Sequence, residues 1–196
     1  TGIATPNGKE ISAVLKENLK FEEIFVRLFG ENGDKVLDEY RSDAKQHKFE
    51  AVPGGPEKMR ELHNLGMKLI IVTNRVNLTL TRLEEAGYKK EWFTSVESTP
   101  EGHSKPDALA YENALVKLHD LGVEDSEIIV VGDAFGDYAA IPKTSEGKKR
   151  IAFLGVTSGS FTHDDWRRAG VHEALIAPTV AEMTLRNLHN PRGKVS

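Results

Sequence analysis

Residues 126–140 read SEIIVVGDAFGDYAA. Ile128 to Val131 form an unbroken apolar run, the pattern of a strand buried on both faces of a parallel sheet. The run ends in Gly132-Asp133, and a second carboxylate, Asp137, follows four residues on. A helix starting just past the strand would put one turn between the two acids, so that both face one point. With no His or Cys beside them, such oxygen ligands suit Mg2+, which takes a few carboxylates and fills its shell with water and a substrate phosphate. Asp residues also cap helices, so the surrounding pattern has to decide.

The same alternation recurs on both sides of this stretch. From Pro53 the periodicity predicts a helix near 56–65, the strand MKLIIVT (67–73), a helix near 77–86, WFTSVES (92–98) and a helix near 107–119. Beyond Asp137 it predicts a short helix, RIAFLGV (150–156), a helix near 163–169, EALIA (173–177) and a final helix. Strands alternating with helices imply a doubly wound α/β fold, a parallel sheet with helices on both faces. Residues 8–52 differ. Ile11, Val14, Leu15 and Leu19, then Ile24, Phe25, Leu28 and Phe29, then Val36, Leu37 and Tyr40 follow helical spacing, interrupted by GENGD (30–34). That segment reads as a small module of two or three helices, in which Phe21, Phe25 and Phe29 read as core.

In doubly wound sheets ligands sit beyond the carboxyl ends of the strands. There the chain offers Thr73 and Asn74 after one strand, and Asp133 and Asp137 after another. Thr73 brings a hydroxyl, and the main-chain amides of the turn at Asn74 and Arg75 can donate to a phosphate oxygen. Between them, HSKPDALAY (103–111) places Lys105 just before a helix, where its ammonium would offset charge on a transferring phosphoryl group. Taken singly, Thr-Asn is also an ordinary helix cap and Lys-Pro an ordinary turn; the order of the three pieces carries the weight.

Composition excludes other classes. With 196 residues, 39% hydrophobic, and a net charge of −4, the chain has material for a real core but no clustered basic face for nucleic acid. Lys148, Lys149 and Arg150 read as a solvated strand entry. Zero cysteines exclude disulfide and thiolate chemistry, and no apolar stretch approaches the ~20 residues that span a bilayer. The expectation is a soluble, cytoplasmic protein. His63, His103, His119 and His163 share no ligand spacing, though His103 lies two residues from Lys105. Asp164 and Asp165 read as the N-cap and first turn of a helix.

Together these motifs resemble the haloacid dehalogenase-like superfamily, most of whose members are Mg2+-dependent phosphatases. The resemblance runs over about residues 53–185 and adds VPGGPEKMRELHNLGMK (52–68), FLGVTSG (153–159) and WRRAGVHEALIAPTVAEM (166–183), the last two similar to its phosphoglycolate-phosphatase-like branch. It implies Thr73 as phosphate binder, Lys105 as the charge-neutralising lysine, Asp133 and Asp137 as metal acids, and residues 8–52 as a cap that closes over a small phosphorylated metabolite. Residues 1–7 and 53–196 would form the α/β core.

The family pattern also calls for an aspartate nucleophile at the end of the first strand, in a run of the type Asp-x-Asp-Gly-Thr, whose second Asp serves as general acid and base. Neither acid is in this chain. Laid on that pattern through Gly2, TGIATP (1–6) puts Thr1 in the second acid's place and the nucleophile two residues before it. That first strand is central in the family, between those ending at Thr73 and Asp133. The expectation is an N-terminally incomplete core, inactive as it stands, in which those two strands do not pair directly. Alternatives are a catalytically inactive phosphate- and metal-binding scaffold, or a phosphonate- or haloacid-cleaving relative that dispenses with the second Asp.

Overall fold

The expected alternation is present in the computed structural model, which describes residues 3–17, 19–44, 46, 48–74 and 79–184. Thr1, Gly2, Arg75 and residues 185–196 lie outside the described residues, and of the final helix expected after EALIA the described chain holds a short 3-10 turn, Val180–Glu182. Three helices come first, α1 (Gly8–Val14), α2 (Phe21–Phe29) and α3 (Gly33–Ala44). Asn7 starts α1 by accepting from the amides of Lys9 and Glu10, while Glu10 accepts from the amide of Asn7, a reciprocal cap. GENGD turns the chain so that α2 and α3 pack on each other, and Phe21, Phe25, Phe29 and Tyr40 stack between them.

The α/β part follows as α4 (Gly55–Asn64), β1 (Ile70–Thr73), α5 (Thr79–Glu85), β2 (Ser95–Ser98), α6 (Glu112–Asp120), β3 (Ile129–Gly132), α7 (Phe135–Ala139), β4 (Ala152–Val156), α8 (His163–Arg168) and β5 (Ile176–Ala177). Helix-to-strand turns are built on glycine. After α4, Gly66 takes φ +81° and the amide of Met67 reaches the carbonyl of Leu62. That closure consumes helix-end carbonyls which would otherwise stay unpaired. Thr162, two positions ahead of the expected Asp164, is the N-cap of α8; its hydroxyl accepts from the amide of Asp165.

The described strands form two parallel sheets, β1–β2 and β3–β4–β5, and the strands ending at Thr73 and Asp133 do not pair directly, as expected. One expectation needs correction. Of the runs whose composition suits strands buried on both faces, Leu69 to Val72 is half-buried throughout and Ile128 to Val131 is buried only at Ile128, whereas Phe153 to Val156 on β4 are all buried. The cause is position. β4 has a neighbour on each side, while β1 and β3 each have a neighbour on one side only among the described residues.

Alternation along β4 divides the core. Phe153 joins Trp166, Phe161, Ile141 and Tyr111 on one face, and Leu154 and Val156 join Leu62, Ala177 and Met183 on the other. Helices therefore cover both faces, as in a doubly wound α/β fold. Trp166 is fully buried and its indole N–H donates to the carbonyl of Val156 at 3.0 Å. It fits only because residue 155 is glycine, where a Cβ would stand 2.7 Å from the indole ring. Lys149, read as solvated, instead lies 3.8 Å over the ring of Tyr138 and donates to that residue's carbonyl, and burial lowers its pKa to about 8.

Trp166→Ala is expected to cost about 3–5 kcal/mol and Gly155→Ala about 1–3 kcal/mol, measured by urea unfolding. Because the two groups compete for one space, the double variant should be less destabilised than the sum of the singles; strict additivity would contradict this packing.

Candidate active site between two strand ends

Hydrogen-bond phase along the strands shows which way each backbone group points. The carbonyls of Leu69 and Thr73 accept from the amides of Thr94 and Thr99 on the β2 side, at 2.7 and 2.9 Å. Ile70 and Val72 therefore point their polar groups away from β2, since successive residues of a parallel strand bond to opposite sides. On β3 the carbonyl of Ile128 accepts from the amide of Ala152 at 3.1 Å, which leaves Ile129 and Val131 pointing away from β4. Among the described residues no strand pairs with either outward edge. Both edges border one apolar cavity of about 100 Å3, walled by Val72, Ile129, Val131, Leu115 and Leu118 and closed at one end by Lys105 and Asp137.

Lys105 spans this gap. Its ammonium donates to the outward carbonyl of Val72 at 3.0 Å and to Asp137 Oδ1 at 2.7 Å. The loop that carries it is held by Asn74, whose Oδ1 accepts from the amide of Lys105 at 2.9 Å and whose Nδ2 donates to the Lys105 carbonyl at 3.3 Å. The Asn74 side chain thus acts as a clasp that sets the position of Lys105, and it leaves the main-chain amide of Asn74 out of these bonds. Thr73 ends β1 one residue earlier and is half-buried.

The two carboxylates leave the end of β3. Asp137 Oδ2 accepts from the amide of Ala134 at 3.2 Å, capping α7, and its carbonyl accepts from the buried hydroxyl of Tyr111 at 3.1 Å. A Cβ at position 132 would lie 2.4 Å from the Asp137 side chain, and one at position 159 would lie 2.6 Å from Asp133 Oδ2. Bare Cα atoms at Gly132 and Gly159 thus make room for the two acids. Asp133 keeps one side open to solvent but is otherwise walled by protein; that burial, and then the charge of Asp137, raise its pKa above the usual carboxylate value. Burial and the same Asp137 charge raise the Tyr111 phenol. The structure therefore brings Thr73, Asn74, Lys105, Asp133 and Asp137 to one edge of the fold. Sequence reading missed Tyr111 and Gly159; the only signals were an aromatic at the end of HSKPDALAY and a glycine just past a strand.

His103, His119 and His163 pair with carboxylates other than Asp133 and Asp137. His119 pairs with Asp125 at 2.9 Å and His163 with Glu173 at 2.8 Å. His103 Nδ1 meets Asp107 Oδ2 at 3.0 Å on the Lys105 loop. Among the described residues no group of three or more His, Cys, Asp or Glu converges on a point, and no helix is long and apolar enough to cross a membrane.

The model of haloacid dehalogenase-like hydrolases matches residues 2–144. The chain belongs to this family. Three solved structures share its fold. A haloacid dehalogenase-like hydrolase of Bacteroides fragilis is 22% identical with a TM-score of 0.63, over 85% of this chain and 79% of its own. A Lactobacillus delbrueckii subsp. bulgaricus protein assigned as a phosphoglycolate phosphatase is 18% identical with a TM-score of 0.60, over 91% and 75%. A Pseudomonas syringae hydrolase is 20% identical with a TM-score of 0.56, over 93% and 75%. No curated protein matches the chain. At these identities the likeness to the solved structures is one of fold, and the family as a whole is one of hydrolases.

For a haloacid dehalogenase-like chain the donor set suits a hard cation. Asp133 ends the β3 segment and Asp137 lies in the first turn of α7 four residues on, and the Asp137 charge adds to burial in raising the Asp133 pKa, a repulsion that a divalent ion would offset. Two carboxylates are few for an all-protein cage, but match Mg2+, which keeps water and substrate oxygens in its shell.

The sign of the Asp133 shift gives a prediction. A carboxyl whose pKa is raised on folding makes the folded state bind more protons than the unfolded one, so stability falls as pH rises through the unfolded value and on to the folded one. In metal-free protein near pH 7, Asp133→Asn should therefore raise Tm slightly, by no more than ~3 °C given the open side of the group. The gain should vanish at pH 3; a lowered Tm at pH 7 would contradict the reading.

Proposed function

We propose that this chain is the frame of a Mg2+-dependent phosphatase for a small phosphorylated metabolite, acting through an aspartyl-phosphate whose nucleophile arrives on a strand seated between β1 and β3. The single observation that carries the reading is the gap itself. Two outward-facing strand edges border one apolar cavity, and that cavity ends at Lys105 and Asp137. Unpaired backbone groups beside an apolar cavity are costly, and a third parallel strand would satisfy both edges at once. A cavity of about 100 Å3 equals roughly three waters at ~30 Å3 each, less than a strand occupies. Seating one therefore requires the β1–β2 pair to move away from β3.

In this reading each residue has a stated task. Thr73 offers its hydroxyl to a phosphoryl oxygen. Lys105 neutralises charge that grows on the transferring group, and Asn74 fixes the loop that aims it. Asp133 and Asp137 would hold Mg2+, which when bound screens the phosphate from an attacking carboxylate. Thr1, set against the second acid of the family pattern, lies outside the described residues. The helices of residues 8–44 would serve as the cap.

The chain of 196 residues should show no Mg2+-dependent turnover of p-nitrophenyl phosphate, and the chain extended by its native strand should show it. Turnover by the 196-residue form would remove the nucleophile from that strand. In the extended form Asp133→Asn should lower kcat about a hundredfold or more, and unchanged activity would take Asp133 out of the site. Mg2+ binding without turnover in the extended form would favour a binding scaffold.

A further inference from the structure

Asp137 is gripped twice by one stretch of chain. Lys105 donates to its Oδ1 at 2.7 Å, and Tyr111, on the same segment, donates its hydroxyl to the Asp137 carbonyl at 3.1 Å. Both ends of the segment are themselves held. Asn74 clasps Lys105, and Tyr111 ends the 3-10 turn Ala108–Tyr111, which Asp107 starts by accepting from the amide of Leu109 at 2.8 Å. Tyr111 is 5% exposed and packs in the core with Phe153 and Trp166, so its hydroxyl has little freedom to turn elsewhere.

The main-chain half of this grip matters because of where Asp137 sits. Helix α7 has five residues, far below the ~12 under which an isolated helix is marginal in water. Its last carbonyls lack helical partners. The amide of Ile141 turns back to the carbonyl of Tyr138 at 3.4 Å, and the carbonyl of Asp137 is taken by the phenol. The Tyr138 carbonyl also accepts from the ammonium of Lys149, which lies over the Tyr138 ring. A cation at this end suits the helix dipole. Lys149 is anchored in turn: its main chain bridges to Lys143, and the next amide, of Arg150, donates to the carbonyl of Pro142 at 3.0 Å. The Tyr138 ring packs 5.1 Å from that of Phe153, which sets the rotation of α7 about its axis. Two donors from different parts of the chain therefore fix the rear of a helix whose first turn carries the Asp137 carboxylate.

From this arrangement we infer that Tyr111 and Lys149 are positioning residues that clamp the rear of α7 and thereby aim the Asp137 carboxylate at the Lys105 ammonium. Losing either donor leaves a helix-end carbonyl unpaired, and a helix this short answers by shifting its last turn and, with it, Asp137. The clamp is a property of the chain, and only its effect on turnover rests on the phosphatase reading.

Proton exchange at the Lys105 ammonium, followed by nitrogen-15 NMR on the whole metal-free chain, tests the aim directly, because its bonds to Val72 and Asp137 slow that exchange. Tyr111→Phe removes only the hydroxyl and should speed it about fivefold, with amide exchange along β4 unchanged. Lys149→Met should act in the same direction, and Lys149→Arg should restore the wild-type rate. Unchanged exchange at Lys105 in either Tyr111→Phe or Lys149→Met would overturn the clamp, as would a failure of Lys149→Arg to restore it. Faster exchange throughout β4 would also overturn it, since that marks a general folding role. In the strand-extended chain Tyr111→Phe should lower kcat about fivefold with KM within about twofold, and should add no further loss in an Asp137→Asn background; full additivity there would overturn a route through Asp137. If the extended wild type turns over no phosphate ester, the phosphatase reading fails by itself and exchange at Lys105 still decides the clamp.

Discussion

One ammonium holds the two halves of the α/β part together at the site. Lys105 bonds at once to the outward carbonyl of Val72 on β1 and to Asp137 beyond β3, so it bridges two sheets that share no strand pairing among the described residues. Much of the neighbouring geometry serves that bridge. Asn74 fixes the Lys105 loop through both atoms of its amide. Tyr111, one turn of chain beyond Pro106, ties the carbonyl of Asp137 down from below. Gly132 lets the Asp137 side chain lie flat against the strand end, where any Cβ would displace it. A carboxylate and a main-chain carbonyl, both partly sheltered, suit a cation better than a neutral donor because hydrogen bonds to ionised groups are the stronger kind.

The parts legible in the sequence share one property: their meaning is local. An apolar run followed by Gly-Asp-x-x-x-Asp states strand, turn and two acids, one in the turn and one in the first turn of the next helix, whatever surrounds it. Thr73 and Lys105 could be read for the same reason, since a strand end and a loop before a helix have only one direction to face in a doubly wound sheet. What escaped depends on neighbours far along the chain. The role of the Asn74 side chain is one such case, since its partner is the Lys105 main chain, 31 residues away. Lys149 stood in a basic run that composition calls solvated; the ring of Tyr138 covers it instead. Gly159 lies 26 residues beyond Asp133, and no spacing rule connects them.

The runs Leu69 to Val72 and Ile128 to Val131 have the composition of interior strands, yet apart from the buried Ile128 they are half-buried, while Phe153 to Val156 are buried as that composition predicts. Hydrophobic patterning encodes the surroundings a strand is suited to. Where a central strand's flank is bordered by a cavity instead of a neighbour, pattern and burial separate, and the separation points to where backbone pairing is unfulfilled.

That point also constrains how the site would be completed on the proposed reading. Ile70 and Val72 on one side, Ile129 and Val131 on the other, all present outward groups, and both strands run in one direction since each belongs to a parallel sheet. A strand that satisfied both edges in the same direction would end level with Thr73 and Asp133, because parallel neighbours keep register. Its terminal side chain would then emerge between a hydroxyl and a carboxylate pair, with the Lys105 ammonium across the opening. Pairing the backbone and placing a nucleophile would be one event. The polar residues already assembled here would gain the reacting group as the β1–β2 pair, with Thr73 and Asn74, moves away from β3 and the lysine gives up its hold on Val72.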